Sequence, residues 1–396
     1  MSHPTDTAAT PRRATDVGGG WVERWGDIVI PVFLLGLLLP VRGIEFLVPA
    51  MSLPINTLAC VGLVAVAVWA PSSWPAASPA VLLSATALVG WLVARTVLEQ
   101  GLGELRRTVN ILTLFLVAGV IASGRVHVRS LTRGIGIGLV AGLIISVALL
   151  PRSSYVGRLT GVLGDPNAAG YVLATLGFAA AQSLTTRRTR LALWAVVAVG
   201  TALTVSRTSM FAFAVATLWV WLAPRMRRLG SLALLGGTTA LYVWLNGLAE
   251  ARNWFTARDG SDTLREELAA VERRMVDQAG WWGDGLGTAV TEIRGTTLFF
   301  HNSYRAIQVE GGLIALGLLL LLLGALFWMV HQLPPQDRPV WAEGAIIAAL
   351  ICSLNIGFSL TSPPLAVSIG LYLAYHGAVR ERQPDGRPVR GAFTPP

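Results

Sequence analysis

The chain contains no lysine: all 31 of its basic residues are arginine. Charge of either sign is scarce, at 13% of residues, whereas soluble domains carry about a quarter. That shortage argues against an ordinary soluble domain. The two cysteines, Cys60 and Cys352, both sit inside apolar runs, where buried structural thiols are the expectation. No CxxC pair and no His/Cys spacing suggests a metal. No Asp-x-Asp and no clustered carboxylates on the expected outer links suggest a divalent ion bridging phosphates. The polar N-terminal segment, rich in Thr, Pro and Gly, is not followed by a short apolar core and a small-residue cleavage site, so no removable signal peptide is expected. The net charge of +9 is scattered over separate links, which argues against nucleic-acid binding.

What the chain does have is apolar length. It is 53% hydrophobic, and long apolar runs recur from Ile28 to Val379 between short polar links. Each membrane-crossing helix needs roughly 20 mostly apolar residues, so the expected fold is an all-α polytopic transmembrane helical bundle. Helices are predicted at about 27–41, 53–70, 79–95, 108–123, 131–149, 166–184, 190–205, 208–223, 230–248, 303–330, 340–358 and 362–379. The organisation that follows is a tail over 1–26, a first bundle over 27–248, a polar loop over 249–302, a second bundle over 303–379 and a tail over 380–396.

Arginine sets the sides. With twelve crossings, Arg12, Arg13 and Arg24, then Arg125 and Arg129, Arg187, Arg188 and Arg190, Arg225, Arg227 and Arg228, and finally Arg380, Arg382, Arg387 and Arg390 all fall on one side. The positive-inside rule makes that side cytoplasmic, together with both termini. The stretch 191–223 tests the count. As one helix it would run about 50 Å, against a hydrocarbon core of about 30 Å, so two short helices turning at Ser206-Arg207 are predicted. The loop 249–302 then lies outside, with Thr263 and Glu266 as a capping box for a helix over about 263–279.

Four places on that outer side could carry chemistry. Gly157-Arg158-Leu159-Thr160-Gly161 leads to Gly164-Asp165-Pro166-Asn167, where Asp165 suits a helix cap and Pro166 a first helical residue. The plain structural account is a Gly-rich link ended by a cap; the functional one is a helix start suited to an anion. Ser206-Arg207-Thr208-Ser209 lies between two apolar segments, where an Arg can simply snorkel to lipid phosphate. Arg265 stands in the loop helix, where a solvated surface role is the plain alternative. His301-Asn302-Ser303-Tyr304, followed by Glu310-Gly311-Gly312, contains the one histidine expected outside, and helix capping is its ordinary use. Trp281 and Trp282 serve as interface anchors or as sugar-stacking rings.

In order, spacing and sidedness, these motifs resemble the O-antigen ligase and O-antigen polymerase superfamily of polytopic membrane glycosyltransferases. That family's loop typically places an Arg about 18 residues before a Gly-x-Gly element, as Arg265 stands before Gly283-Asp284-Gly285-Leu286-Gly287. The family often has Pro before those glycines, where this chain has Gly280-Trp281-Trp282. The resemblance implies a polyprenyl-pyrophosphate-linked glycan donor, a glycolipid, glycan or protein acceptor, membrane lipid as surroundings, and no cofactor or metal. It implies Arg158, Arg207 and Arg265 as a diphosphate clamp, since guanidinium binds phosphate bidentately. Asp165 and Asn167 would support the clamp. His301 would act as the base for the acceptor hydroxyl, with Asn302, Tyr304 and Glu310 beside it and inversion at the anomeric carbon. Ligase and polymerase differ only in the acceptor. A transporter or flippase of lipid-linked glycans, or a membrane scaffold, remains the competing expectation, although no internal repeat of the kind many transporters carry is evident.

Overall fold

The computed structural model describes residues 28–43, 54–72, 78–101, 103–153, 155–251 and 259–381, together with Arg24 and Trp25. The architecture is all-α. Among the described residues there are thirteen α-helices: α1 (Ile30–Leu38), α2 (Ile55–Val68), α3 (Pro79–Gln100), α4 (Leu105–Ala122), α5 (Val128–Ala148), α6 (Pro166–Ala181), α7 (Arg187–Leu203), α8 (Arg207–Leu222), α9 (Arg228–Ala251), α10 (Asp259–Ala279), α11 (Ser303–Val330), α12 (Val340–Cys352) and α13 (Pro363–Glu381). Two short antiparallel ladders accompany them. One pairs β1 (Arg24–Trp25) with β2 (Ile28–Val29), and the other pairs β3 (Val290–Ile293) with β4 (Thr296–Phe299). The predicted tails fall almost wholly outside the described residues, which hold only Arg24 and Trp25 of the first and Arg380 and Glu381 of the second.

Twelve of these helices overlap the twelve predicted segments, and α10 is the loop helix. Four of them, α3, α4, α5 and α11, are long and apolar enough to cross a membrane. The outward faces of α3 and α11 are apolar as well: Leu83, Leu98, Leu320 and Leu321 are 59–74% exposed. In water so many exposed large apolar side chains would be unfavourable. In lipid they are the expected exterior.

The interior is built around α6. Every residue from Pro166 to Ala181 is buried except Asn167, and α5, α7, α8, α12 and α13 all pack against this helix. Small residues let other helices touch backbone to backbone. A Cβ on Gly134 or Gly138 of α5 would lie 2.2 or 2.3 Å from the carbonyl oxygens of Phe33 and Leu37 in α1. This is the small-xxx-small contact that substitutes for a hydrophobic driving force in lipid.

Two predicted boundaries need correction. The helix drawn over 340–358 ends at Cys352, and 353–362 is a link of turns and one short 3-10 segment. Ile356, Phe358 and Leu360 carry the apolar pattern onward, but Ser353, Ser359 and Ser362 spend their hydroxyls on local carbonyls and on one another, which favours turns over helix. The loop helix begins at Asp259, four residues before the predicted cap at Thr263.

At one end of the bundle a buried ion pair closes the packing. Arg338 Nη2 lies 2.6 Å from Glu343 Oε2, Trp219 Nε1 donates to the same oxygen at 2.9 Å, and Arg338 Nη1 donates to the Ala223 carbonyl at 2.8 Å. Both charged side chains are almost fully buried. The predicted functional motifs gather at the opposite end.

Candidate functional site

The link 353–362 is where two of those motifs, the one after Arg207 and the one after His301, meet. Asn355 Nδ2 donates to Thr208 Oγ1 at 3.1 Å, which ties the link to the residue after Arg207. Asn302 Nδ2 donates to the carbonyl of Leu354 at 3.1 Å, which ties it to the residue after His301. Ser303 donates from Oγ to the carbonyl of Ile356 at 2.5 Å. Tyr171 of α6 donates from its hydroxyl to the Ser359 carbonyl at 2.9 Å and lies 2.8 Å from Ser362 Oγ. The Phe358 ring packs under Arg42, with the guanidinium carbon 4.1 Å from the ring centre. Gly357 makes the crossing with the segment just before α11 possible, because a Cβ there would fall 1.5 Å from the Phe300 carbonyl oxygen.

The Arg207 turn is strained and braced. Between α7 and α8, Val205 holds φ at 49°, a left-handed conformation costly for a β-branched residue, by about 1–3 kcal/mol. Arg158 reaches across to this turn. Its Nε donates to the Thr204 carbonyl at 3.0 Å, and the Leu159 N–H donates to the Leu203 carbonyl at 2.9 Å. The structure thus brings Arg158 to the backbone that presents Arg207, whose side chain is exposed at the first position of α8.

Asp165 caps α6 as its sequence suggested. Its Oδ1 accepts from the N–H groups of Asn167 and Ala168 at 3.0 and 3.2 Å, and Pro166 follows as the first helical residue. Its second oxygen is paired with Arg42 Nη1 at 3.2 Å. Both side chains line a cavity of about 800 Å³ with Arg106, Asn56, Asn110 and Tyr155. Arg158 stands beside this cavity, its guanidinium 5.9 Å from the Tyr155 ring.

His301 is half-buried at the start of α11. Its backbone N–H donates to Glu272 Oε1 at 2.6 Å, and the other Glu272 oxygen pairs with Arg305 Nη1 at 3.1 Å. Glu272 is itself buried, so α10 is clamped to the start of α11. Arg265 stands on α10 seven residues, or two helical turns, before Glu272; its side chain lies outside the described residues.

Three further predicted residues are committed to internal bonds. Asn302 caps α11, its Oδ1 accepting from the N–H groups of Tyr304 and Arg305 at 2.9 and 3.1 Å. Tyr304 donates from its hydroxyl to the Leu350 carbonyl at 2.9 Å. Glu310 is buried and takes Arg107 Nη1 at 3.0 Å and the Gly287 N–H at 2.9 Å on one oxygen. Asn167 is half-buried on α6 and is not among the residues lining the cavity.

The Gly283–Gly287 element is docked onto a break in α11. Gly312 leaves helical geometry there, with φ 70° and ψ −171°, a conformation glycine adopts without penalty. The break frees backbone groups that the loop satisfies. The Leu313 and Ile314 N–H groups donate to the carbonyls of Gly280 and Trp281 at 3.1 and 3.2 Å, while the N–H groups of Asp284 and Gly285 donate to Val309 and Glu310 at 2.9 and 2.8 Å. Trp281 and Trp282 stay exposed, and the Trp282 ring packs 5.7 Å from that of Trp91.

The residues that sequence reasoning missed are Arg42, Arg106, Arg107, Glu272 and the whole 353–362 link. The helix count already put the Arg42 and Arg106-Arg107 links on the outer side, so their arginines were findable. The partnership of Glu272 with His301 and Arg305 depends on how α10 folds back and has no local signal. Compared with known proteins, the chain matches no protein-family model and no curated protein.

Proposed function

We propose that the protein is a membrane glycosyltransferase of O-antigen ligase or polymerase type. In this reading it crosses a bacterial cytoplasmic membrane twelve times with both termini in the cytosol, and moves a glycan from a polyprenyl-pyrophosphate carrier to an acceptor hydroxyl on the outer face. The observation that carries the reading is the shared link. Thr208 and Asn302, the residues following Arg207 and His301, bond to the adjacent residues Asn355 and Leu354. A permanent cation and an imidazole are thereby fastened to one short segment, as a reaction with an anionic leaving group and an acceptor proton requires.

Arg158 and Arg207 are the diphosphate ligands in this scheme, with Arg265 contributed by α10. Their guanidinium groups stay charged at any working pH and match phosphate oxygens in pairs. His301 takes the acceptor proton. Displacement from the face opposite the diphosphate inverts the anomeric carbon. Asn302, Tyr304 and Glu310 hold His301 and the Gly283–Gly287 loop in place, through the bonds described above. Because arginine neutralises the leaving group, no divalent ion is required.

Comparing lipid-linked and surface glycans by mass spectrometry in a deletion strain tests the assignment. Accumulated single carrier-linked repeats identify a polymerase, and accumulated long carrier-linked chains identify a ligase. Glycans unchanged in both pools would overturn the proposal.

A further inference from the structure

Arg42 and Arg106 come from the ends of α1 and α4, 64 residues apart in the chain, and face the same cavity of about 800 Å³. One carboxylate, Asp165, lines it with them. The Arg42–Asp165 contact is a single one, through Nη1 and Oδ2 at 3.2 Å, and both side chains are about 38–39% exposed. It is the one hydrogen bond from the Arg42 guanidinium among the described residues, which leaves most of the group's five donors for a ligand. Arg106 is exposed and has no ion pair among the described residues. Asn56, Asn110 and Thr57 add neutral hydrogen-bonding groups, and the Phe358 ring backs the Arg42 guanidinium at 4.1 Å.

We propose that this cavity is a binding site for a phosphate-type anion, and that Asp165 is the built-in counterion the anion displaces from Arg42. The cavity wall carries two guanidinium groups against one carboxylate, so it has an excess of positive charge even with Asp165 in place. Asp165 suits an exchange because its two oxygens do different work. Oδ1 is spent on the Asn167 and Ala168 N–H groups, which keeps the residue anchored when Oδ2 gives up Arg42. Arg42 is anchored too. Its N–H donates to the Val162 carbonyl at 2.9 Å, and its Cδ packs so closely on Gly164 that a Cβ there would lie 2.9 Å away. The guanidinium can change partners while its stem stays fixed. The phosphate can belong to a membrane lipid headgroup or to a free phosphate compound, since the recognising chemistry is the same. This inference concerns binding at Arg42 and Arg106 and stands whether or not glycosyl transfer proceeds at His301.

The test uses the full chain with Asn110→Cys on the cavity wall. Cys60 and Cys352 are fully buried, so the introduced thiol dominates maleimide labelling. In detergent, inorganic diphosphate should slow labelling with a measurable midpoint. Arg42→Ala and Arg106→Ala should each raise that midpoint roughly tenfold or more, the weight of a charge-assisted hydrogen bond. Asp165→Asn, which keeps the cap and removes the competing charge, should lower it several-fold, whereas a purely structural Asp165 predicts no tightening. In nanodiscs, protection by phosphatidic acid over phosphatidylcholine without added diphosphate identifies a lipid headgroup as the source. Protection by diphosphate alone identifies a free phosphate compound. Absence of protection in both arms, retained affinity in the two arginine variants, or unchanged or weaker binding in Asp165→Asn would overturn the proposal. His301→Ala should leave all of these midpoints unchanged, which separates this site from the transfer reaction.

Discussion

Asn355 holds Thr208 by a hydrogen bond of 3.1 Å, and this contact joins the start of α8 to the link that also receives Asn302. Through it Arg207 and His301, 94 residues apart in the chain, are anchored on the same support. The chemistry proposed for the protein depends on that support.

Gly357 is the tightest point in it. Replacing Gly357 with Ala puts a methyl group against the Phe300 carbonyl oxygen, so the link must move away from the segment that leads into α11. The expected cost exceeds about 3 kcal/mol, the upper range for overpacking. A lowered thermal unfolding midpoint, with transfer activity lost in the molecules that fold, is the predicted outcome. Wild-type stability and activity would show that the crossing is looser than described.

Arg207→Lys keeps the charge and removes the planar fork. If Arg207 holds a diphosphate with two parallel bonds, losing one lowers turnover about ten- to a hundredfold, with insertion into the membrane unaffected. An Arg207 that only snorkels to lipid phosphate would tolerate lysine. Assays at saturating donor, beside a check of membrane-inserted protein, tell the two apart.

The bond from Glu272 to His301 uses the backbone N–H and survives a change of side chain. His301→Ala should therefore fold and insert normally. Its turnover should fall about 10²- to 10⁴-fold, the usual contribution of a general base. Full activity in a normally inserted His301→Ala protein removes the base assignment.

At the other end of the bundle, Glu343→Ala strands Arg338 in the interior without its anion. Stability should fall by about 3–5 kcal/mol, while turnover per folded molecule stays unchanged. A selective loss of turnover would mean that this ion pair communicates with the outer end.

Much of the fold is legible in the apolar runs because a helix in lipid advertises itself by length. Asp165-Pro166 marked the start of α6 through capping chemistry that is local in sequence, and the turn before Arg207 followed from helix length against membrane thickness. The Val290–Phe299 hairpin was readable in principle. Two β-branched runs flank Arg294-Gly295, which take φ of 54° and 75° as a tight two-residue turn requires. What was not legible came from long-range pairing. Glu310 acts as a strut between Arg107 and Gly287, and Arg42 acquires its role from Asp165 and Phe358. The end of α12 was hidden for a simpler reason: hydrophobicity continues through Phe358 and Leu360 after the backbone has turned.

The most direct test of the account is transfer by the purified protein in liposomes that present a polyprenyl-pyrophosphate glycan and an acceptor in the outer leaflet, with a chelator present. The account predicts a new glycosidic bond and one released polyprenyl diphosphate per transfer, undiminished by the chelator and lost in Arg207→Ala and His301→Ala. Movement of the lipid-linked glycan across the bilayer with no new bond, or a strict requirement for a divalent ion, would contradict it.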